Sequence, residues 1–471
     1  MRNAANPLRS IRERLSYSAN CSRRFLCGTS RVSIVEVACG TSLGGRLEEL
    51  SGRSILLTTR DQLAAALALI ELDGVASRII ICPPEIISEQ LPFVIAKGGV
   101  DAIVTDYEVN DHECLSSLLR VTCRAALTPS NVEQLEHRPT EWVLLTSGTT
   151  GMPKMVVHSL ATLAAAIDTT HNHTDGQGTG AVWGTFYDIR RYGGLQVFLR
   201  ALLGDGSLVL SSTAEPVADH LERLGARGVT HLSGTPSQWR RALMSPHARA
   251  IAPQYVRLSG EIADQAILNS LRSFYPKAAI GHAFASTEAG VAFEVNDCLA
   301  GFPAAALGKR GDVEMRIRND SLQIRSNRVA LRYLDGENGV ADEQGFVDTG
   351  DMVELCGDRC YFLGRRNGVI NVGGLKVYPE EVEAVINRHP AVRMSMVWSQ
   401  KNPITGALVS AEIVLKQAPD SGITAEQIAD LRREVLEMCR QSLPPHKIPA
   451  TIRCVSALEV ATAGKLVRQR A

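Results

Sequence analysis

From about residue 54 onward, short apolar runs of strand length alternate with longer stretches whose apolar positions recur at helical spacing. Ser54–Thr59 (SILLTT) reads as a buried strand. Asp61 then offers an N-cap to a Leu- and Ala-rich helix that ends near Leu72, where Asp73-Gly74 stops it. Arg78–Cys82 (RIIIC) reads as the next strand, closed by Pro83-Pro84, and Ala102–Thr105 as another, after a helix ending at Gly98-Gly99. The theme returns with strands near Gly180–Gly184, Ser207–Leu210 and His231–Ser233. Apolar strands separated by helices imply a mostly parallel sheet covered on both faces.

The texture changes from Glu314. VEMRIR, LQIRS, FVDTGD and CYFLGR are short strands broken by Gly and Asp turns, the pattern of a smaller β-rich subdomain at about 305–364. After Arg365 comes a compact α+β tail. Pro379 stands where the first turn of a helix accepts proline, with Val382, Val385 and Ile386 on one face. Thr424 and Gln427 form a capping box for a second helix that buries Ile428, Leu431 and Val435. The expected fold class is therefore α/β: a large N-terminal domain of stacked α/β sheets plus the β-rich part (1–364), a junction at 365–367, and a small α+β C-terminal domain (368–471).

Composition narrows the partners. The 471 residues are 45% hydrophobic and 21% charged, with 50 basic against 50 acidic side chains, so no net field draws nucleic acid or an anionic membrane. No uninterrupted apolar stretch reaches the ~18 residues of a membrane span. The 11 cysteines are scattered. The close pairs Cys21/Cys27 and Cys356/Cys360 lack the neighbouring ligands of a zinc site, and we read all as reduced thiols of a cytoplasmic protein. The first 35 residues carry Arg2, Arg9, Arg12, Arg14, Arg23, Arg24 and Arg31 against Glu13 alone. Mitochondrial transit peptides share that composition, but we read the segment as a solvated basic arm or a first helix lying on the core.

The strongest chemical signal is Trp142–Lys154, WVLLTSGTTGMPK. An apolar strand runs into Thr146, Ser147, Gly148, Thr149, Thr150 and Gly151 and ends on Pro153-Lys154. Glycines let backbone amides converge on anionic oxygens, hydroxyls add donors, and the lysine supplies a point charge. The spacing is not that of a Walker A loop, which needs Ser or Thr directly after the lysine.

This string resembles the phosphate loop of the adenylate-forming superfamily: acyl-CoA synthetases, peptide-synthetase adenylation domains and luciferases, with the acyl- and aryl-CoA ligases nearest. Further stretches match in order. HAFASTE (282–288) resembles the segment in which Phe284 would stack on adenine, Thr287 contact the α-phosphate and Glu288 hold Mg²⁺. Phe284 and Ala285 stand where the family usually has Tyr and Gly, and the added methyl would tighten the acyl pocket. DTGD (348–351) and Arg365 resemble the ribose-binding pair Asp351 and Arg365. Without the family, Thr-Gly-Asp would read as a β-turn. Asn367 falls at the hinge. VGGLKVYPEEVE (372–383) resembles the thioester-forming face, with Gly373 and Gly374 admitting a pantetheine arm. TAGKLVR (462–468) makes Lys465 the lysine that binds both the carboxylate and the α-phosphate. Ser259-Gly260-Glu261 resembles the adenine-side turn. Phe186–Gln196 falls on the acyl pocket, placing Tyr187, Asp188 and Gly193 there. Asp188 could meet a substrate amine or, the reading we prefer, pair with Arg190 or Arg191.

The resemblance implies an acid–thiol ligase. ATP and Mg²⁺ would convert a small carboxylic acid to acyl-AMP with release of pyrophosphate. The mobile small domain would then rotate, withdraw Lys465 and bring up Gly373–Lys376 for transfer to a thiol. Coenzyme A is the preferred acceptor, with an acyl carrier protein's phosphopantetheine as the alternative. A non-catalytic nucleotide-binding homologue is a further alternative, set against the presence of Lys154, Glu288, Asp351 and Lys465.

Overall fold

A computed structural model of the chain describes residues 10–17, 21–86, 88–108, 117–130, 136–146, 152–167, 180–212, 214–334, 336, 339–403, 405–416, 424–461 and 464–467. The apolar runs become the strands of two sheets. The first has eight strands in the order Gly290–Val295, Ala279–Ser286, Tyr255–Ser259, His231–Gly234, Val182–Thr185, Ser207–Val209, Phe25–Cys27 and Arg31–Ser33. Its neighbours are parallel except at the two edges. The second has seven, in the order Arg332–Tyr333, Lys154–Ser159, Glu141–Thr146, Arg78–Cys82, Ser54–Thr58, Ala102–Thr105 and Leu119–Thr122, parallel from Glu141–Thr146 onward.

Helices Gln62–Leu72 and Tyr192–Leu203 share one apolar core with Trp183 and Leu208 of the first sheet and Ile55, Leu57 and Trp142 of the second. A helix between two sheets has no solvent face, and every residue of Gln62–Leu72 is buried. Asp61 caps that helix, accepting from the Leu63 N–H at 2.6 Å. Such a cap is worth about 1 kcal/mol.

The basic start joins this core. Helix Ile11–Ser16 buries Ile11 and Leu15. Asp73 holds it in place, accepting from the Ile11 N–H at 2.9 Å while its other oxygen accepts from the Trp142 indole at 3.1 Å. Arg24 donates to the carbonyls of Leu202 and Gly206 at 2.8 and 2.9 Å and pairs with Asp205, which sets strand Phe25–Cys27 beside Ser207–Val209. The first helix expected from the sequence thus spans residues 11–16, while residues 1–9 lie outside the described set.

A six-stranded antiparallel sheet follows, from Phe302–Pro303 to Arg359–Arg365 in sequence. Beyond it, hairpin Ile370–Val377, helix Pro379–Ile386, helix Ala425–Ser442 and a sheet of Val392–Asn402, Gly406–Leu415 and Thr451–Cys454 build a separate core around Val382, Ile386, Val409 and Val435. Thr424 and Gln427 do form the capping box. The buried positions of that helix are Val435 and Cys439, however. Ile428 and Leu431 are only half-buried. No described helix is long and apolar enough to cross a membrane. The described cysteines carry free thiols.

Candidate active site

The C-terminal loop brings Lys465 against the large domain. Val460 bridges to Leu466, and the Ala461 N–H donates to the Lys465 carbonyl at 2.8 Å, so the lysine stands on the returning arm of a tight turn. Two hydrogen bonds dock that turn. Thr235 caps helix Pro236–Ala242 by accepting from the Gln238 N–H at 3.0 Å, and its hydroxyl donates to the Gly464 carbonyl at 2.5 Å. Glu261 accepts from the Leu466 N–H at 3.1 Å through one oxygen and from the Ser237 N–H at 2.9 Å through the other. Gly464 has a φ of +76°, and a methyl there would overlap the Gln238 amide, so only glycine makes this approach without strain. Lys465 itself runs over Gly260, whose hypothetical Cβ would lie 3.6 Å from its Cε. Solvent still reaches the lysine in the open cleft. Burial first, then Arg365, hold its pKa below the ordinary lysine value, with Glu261 and Asp351 opposing.

Asp351 and Arg365 are direct partners on neighbouring strands of the β-rich sheet. Arg365 Nε donates to Asp351 Oδ1 at 3.2 Å, whereas Oδ2 is buried and accepts from no described residue. Burial raises the Asp351 pKa against the pull of Arg365 and Lys465. One carboxylate oxygen is therefore left for an outside donor, which fits a ribose hydroxyl.

Thr287 and Glu288 form the turn between strands Ala279–Ser286 and Gly290–Val295. A residue that sequence reasoning missed fixes this turn. His158, 0% exposed, lies on the strand that leaves the phosphate loop, and its Nε2 donates to the Thr287 carbonyl at 2.7 Å. Its Nδ1 pairs with the Thr162 hydroxyl at 2.9 Å, which suits the neutral imidazole. Burial pushes its pKa down to about 4. The Glu288 carbonyl accepts from the Ala330 N–H at 2.9 Å, and no described residue engages its carboxylate. No group of three or more His, Cys, Asp or Glu suited to a metal exists among the described residues. A lone carboxylate suits magnesium, which keeps waters and takes phosphate oxygens.

The remaining expected residues are placed as follows. Thr146 and Lys154 face each other across the antiparallel hairpin that carries the loop, with Lys154 Nζ 5.5 Å from the Tyr333 ring centroid. Ser147, Gly148, Thr149, Thr150 and Gly151 lie outside the described residues, as do Thr462, Ala463 and Arg468. Phe284 stacks on Phe362, centroids 5.1 Å apart and planes 10° off parallel, and a bulge follows it at Ala285. Tyr187 is buried with its hydroxyl donating to the Ser259 carbonyl at 2.8 Å, and its ring lies beside Gly193. Asp188 is engaged by Arg190, whose Nε and Nη2 reach its two oxygens at 2.8 and 2.5 Å, the structural pairing preferred from the sequence. Glu261 differs from its sequence reading. Both its oxygens serve backbone amides, Leu466 of the lysine loop and Ser237 of helix Pro236–Ala242, while Gly260 of the same turn lies against Lys465. Asn367 is exposed in the turn Arg366–Gly368. Gly373 and Gly374 form the tip of the exposed small-domain hairpin, at φ +58° and +87°. Their amides are held by Thr405 and Asn371 of the same domain. A cleft of about 870 Å³ between the domains is bridged at its wall by Asn387, which donates to Asp264 at 3.0 Å.

Comparison with known proteins agrees with this architecture. A family described as AMP-binding enzyme matches residues 55–330, and its C-terminal domain matches 381–465. The mitochondrial acyl-coenzyme A synthetase ACSM5 of Mus musculus is 35% identical over 166 residues. That match takes in 35% of this chain and 27% of the synthetase, so the chain aligns with about a quarter of this relative's length. The 2-succinylbenzoate–CoA ligase of Bacillus subtilis is 22% identical over 445 residues, 88% of this chain and 86% of the ligase. Among solved structures, the anthranilate CoA ligase AuaEII in complex with anthranoyl-AMP superposes with a TM-score of 0.81 at 16% identity, covering 97% of this chain and 95% of that one. The o-succinylbenzoate CoA synthetase of Bacillus subtilis with its acyl-adenylate gives 0.72 at 19% identity, covering 97% and 96%. With more than half its residues matched, and with fold and element order in agreement, the chain belongs to the AMP-binding enzyme family.

Proposed function

We propose that this protein activates a carboxylic acid with ATP, releases pyrophosphate to leave an acyl-AMP, and passes the acyl group to the thiol of coenzyme A. The observation that carries the reading is the docked lysine. Thr235 and Glu261, from the middle of the chain, dock the C-terminal loop and place Lys465 over Gly260, within electrostatic reach of Asp351 and Arg365. A cation there orients a carboxylate toward an α-phosphate and steadies the charge that grows on the phosphoryl oxygens. Asp351 Oδ2 takes a ribose hydroxyl, and Arg365 holds Asp351 in place. Phe284, in the segment next to the turn, provides an aromatic face for adenine. Glu288, with the nucleotide's own oxygens, would hold Mg²⁺, which would supply charge neutralisation at the phosphates.

Little covalent chemistry is asked of these residues; alignment and charge stabilisation carry the rate. The Thr146–Lys154 loop cradles the triphosphate, and His158 keeps the Thr287–Glu288 turn in register with the strand that leaves that loop. Transfer to the thiol requires Lys465 to withdraw. The small domain turns about 365–367 and presents Gly373 and Gly374, where the absence of side chains lets a pantetheine arm pass. We place this chemistry in the cytoplasm, acting on a small acid, a reading supported by the free thiols of the described cysteines.

The test is carboxylate-dependent exchange of labelled pyrophosphate into ATP, followed by thioester formation with coenzyme A or a pantetheinylated carrier protein. Exchange with at least one acid and faster transfer to coenzyme A are expected. Faster transfer to the carrier protein would reassign the acceptor. ATP binding with no exchange across a broad acid panel would make the chain a nucleotide-binding protein.

A further inference from the structure

Arg257 is 5% exposed and lies on strand Tyr255–Ser259. Val256 and Leu258 enter the core that packs on helix Gln265–Phe274, so Tyr255, Arg257 and Ser259 share the opposite face. That face meets Tyr187, whose hydroxyl donates to the Ser259 carbonyl. Beyond Ser259 the chain turns at Gly260, against which Lys465 lies. Three residues of strand rise place Arg257 roughly 10 Å inward from that turn.

The charges there do not balance. Arg257 Nε donates to one oxygen of Glu294 at 3.1 Å, and the Tyr255 hydroxyl donates to the other. Arg257 Nη2 is buried with no hydrogen-bond partner. Ser233, registered directly opposite Arg257 on the neighbouring strand and 1% exposed, has a hydroxyl that is likewise buried without a partner. Arg200, over the Trp183 ring at 5.9 Å, is a second guanidinium near the same carboxylate, and burial together with Arg257 pushes its pKa down to about 10. Arg328 acts on the region too, but it has its own partner in Asp312 at 3.0 Å. Glu294 thus has one guanidinium partner, Arg257, and a second guanidinium, Arg200, within electrostatic reach. On the other flank the residues paired with Arg257 and Ser259 are Gly281 and Ala283, and the space over Gly281 is taken by the Asn296 carboxamide and the Tyr255 hydroxyl. Two buried donors on neighbouring strands, Arg257 Nη2 and the Ser233 hydroxyl, are thus left without a described partner in an electropositive region.

We propose that Arg257 and Ser233 set the substrate class: the activated acid carries a second anionic group at the end remote from the reacting carboxylate, held by Arg257 Nη2 and the Ser233 hydroxyl. This rests on the adenylating reading above, which puts the reacting carboxylate at Lys465. A dianionic acid pairs with a cation at each end of the pocket. A monocarboxylic acid of equal length leaves both buried donors unanswered, which is the strongest basis for rejection a binding site has.

The experiment is pyrophosphate exchange with length-matched pairs, butyrate against succinate and benzoate against the benzenedicarboxylates. The dianion is expected to lead in kcat/KM by about 100-fold or more in at least one pair. Arg257→Met should raise KM for the preferred dianion by about 100-fold and reduce the preference, with KM for ATP unchanged. Should that variant not fold with Glu294 left unpaired, Arg257→Met/Glu294→Gln removes both charges. Ser233→Ala supplies an independent variant, with a loss of about 10-fold. Monocarboxylic acids used as well as their dianionic counterparts, or a dianion preference that survives both Arg257→Met and Ser233→Ala, would overturn the assignment. Exchange with no acid at all would instead overturn the adenylating reading on which it stands.

Discussion

Glu261 accepts a hydrogen bond at 3.1 Å from the backbone N–H of Leu466, the residue that follows Lys465. The contact spans 205 positions of sequence and ties the small domain's last loop to the turn over which the lysine lies. Because the acceptor is a carboxylate and its other oxygen answers Ser237, removing it strands two amides at once. Glu261→Ala is expected to slow pyrophosphate exchange by about 10- to 100-fold and to spare thioester formation from supplied acyl-AMP. Equal loss in both half-reactions would mean that Glu261 supports the fold rather than the docked state.

Lys465→Ala should reduce exchange by about 100- to 1,000-fold while acyl transfer from supplied acyl-AMP persists. Gly464→Ala should act in the same direction, since its methyl meets Gln238 and its φ is +76°. Burial holds Lys465 below the usual lysine pKa, so kcat/KM for exchange should decline with rising pH sooner than an ordinary lysine would dictate. The pH–rate profile of the free enzyme checks this. Conversely, Gly373→Trp should block transfer to coenzyme A and leave exchange intact.

Asp351→Ala removes the buried oxygen that no described residue engages. KM for ATP should rise about 10- to 100-fold, with a smaller effect on KM for the acid. An unchanged ATP KM would place the ribose elsewhere.

His158 makes an acid-stability prediction. Burial pushes its imidazole down to about 4 from an ordinary 6.5, so as pH falls the unfolded chain takes up this proton first. Its contribution to stability is therefore full above about 6.5 and is lost between there and about 4, at up to about 1.4 kcal/mol per pH unit. His158→Gln removes the titration. Its Tm should fall less than the parent's over that interval, although the variant is less stable at pH 7. Parallel Tm curves would refute the assignment.

Much of the fold was legible locally. Asp61, Pro379 and the Thr424/Gln427 box mark helix starts through contacts within a few residues, and the apolar runs at Ser54, Arg78 and Ala102 had the length of buried strands. Strand order was not legible, because which strands pair depends on contacts across the whole chain. The insertion of Phe25–Cys27 beside Ser207–Val209 is the clearest case. Of the site, segment identity came through the motifs, while partner choice did not. Glu261 read as a cofactor contact but docks the lysine loop. His158 carried no signal, since its partner Thr287 lies 129 positions away. The helical face of Ile428, Leu431 and Val435 was visible, but which of its positions reach full burial was not.

The most direct test of the central claim is a crystal structure of the protein with ATP and Mg²⁺. The expected result has the ribose on Asp351 Oδ2, the metal on Glu288, and the triphosphate wrapped by residues 146–154 with Lys465 beside the α-phosphate. A nucleotide bound away from Asp351 and Glu288, with the segment around Gly148 turned to solvent, would contradict it.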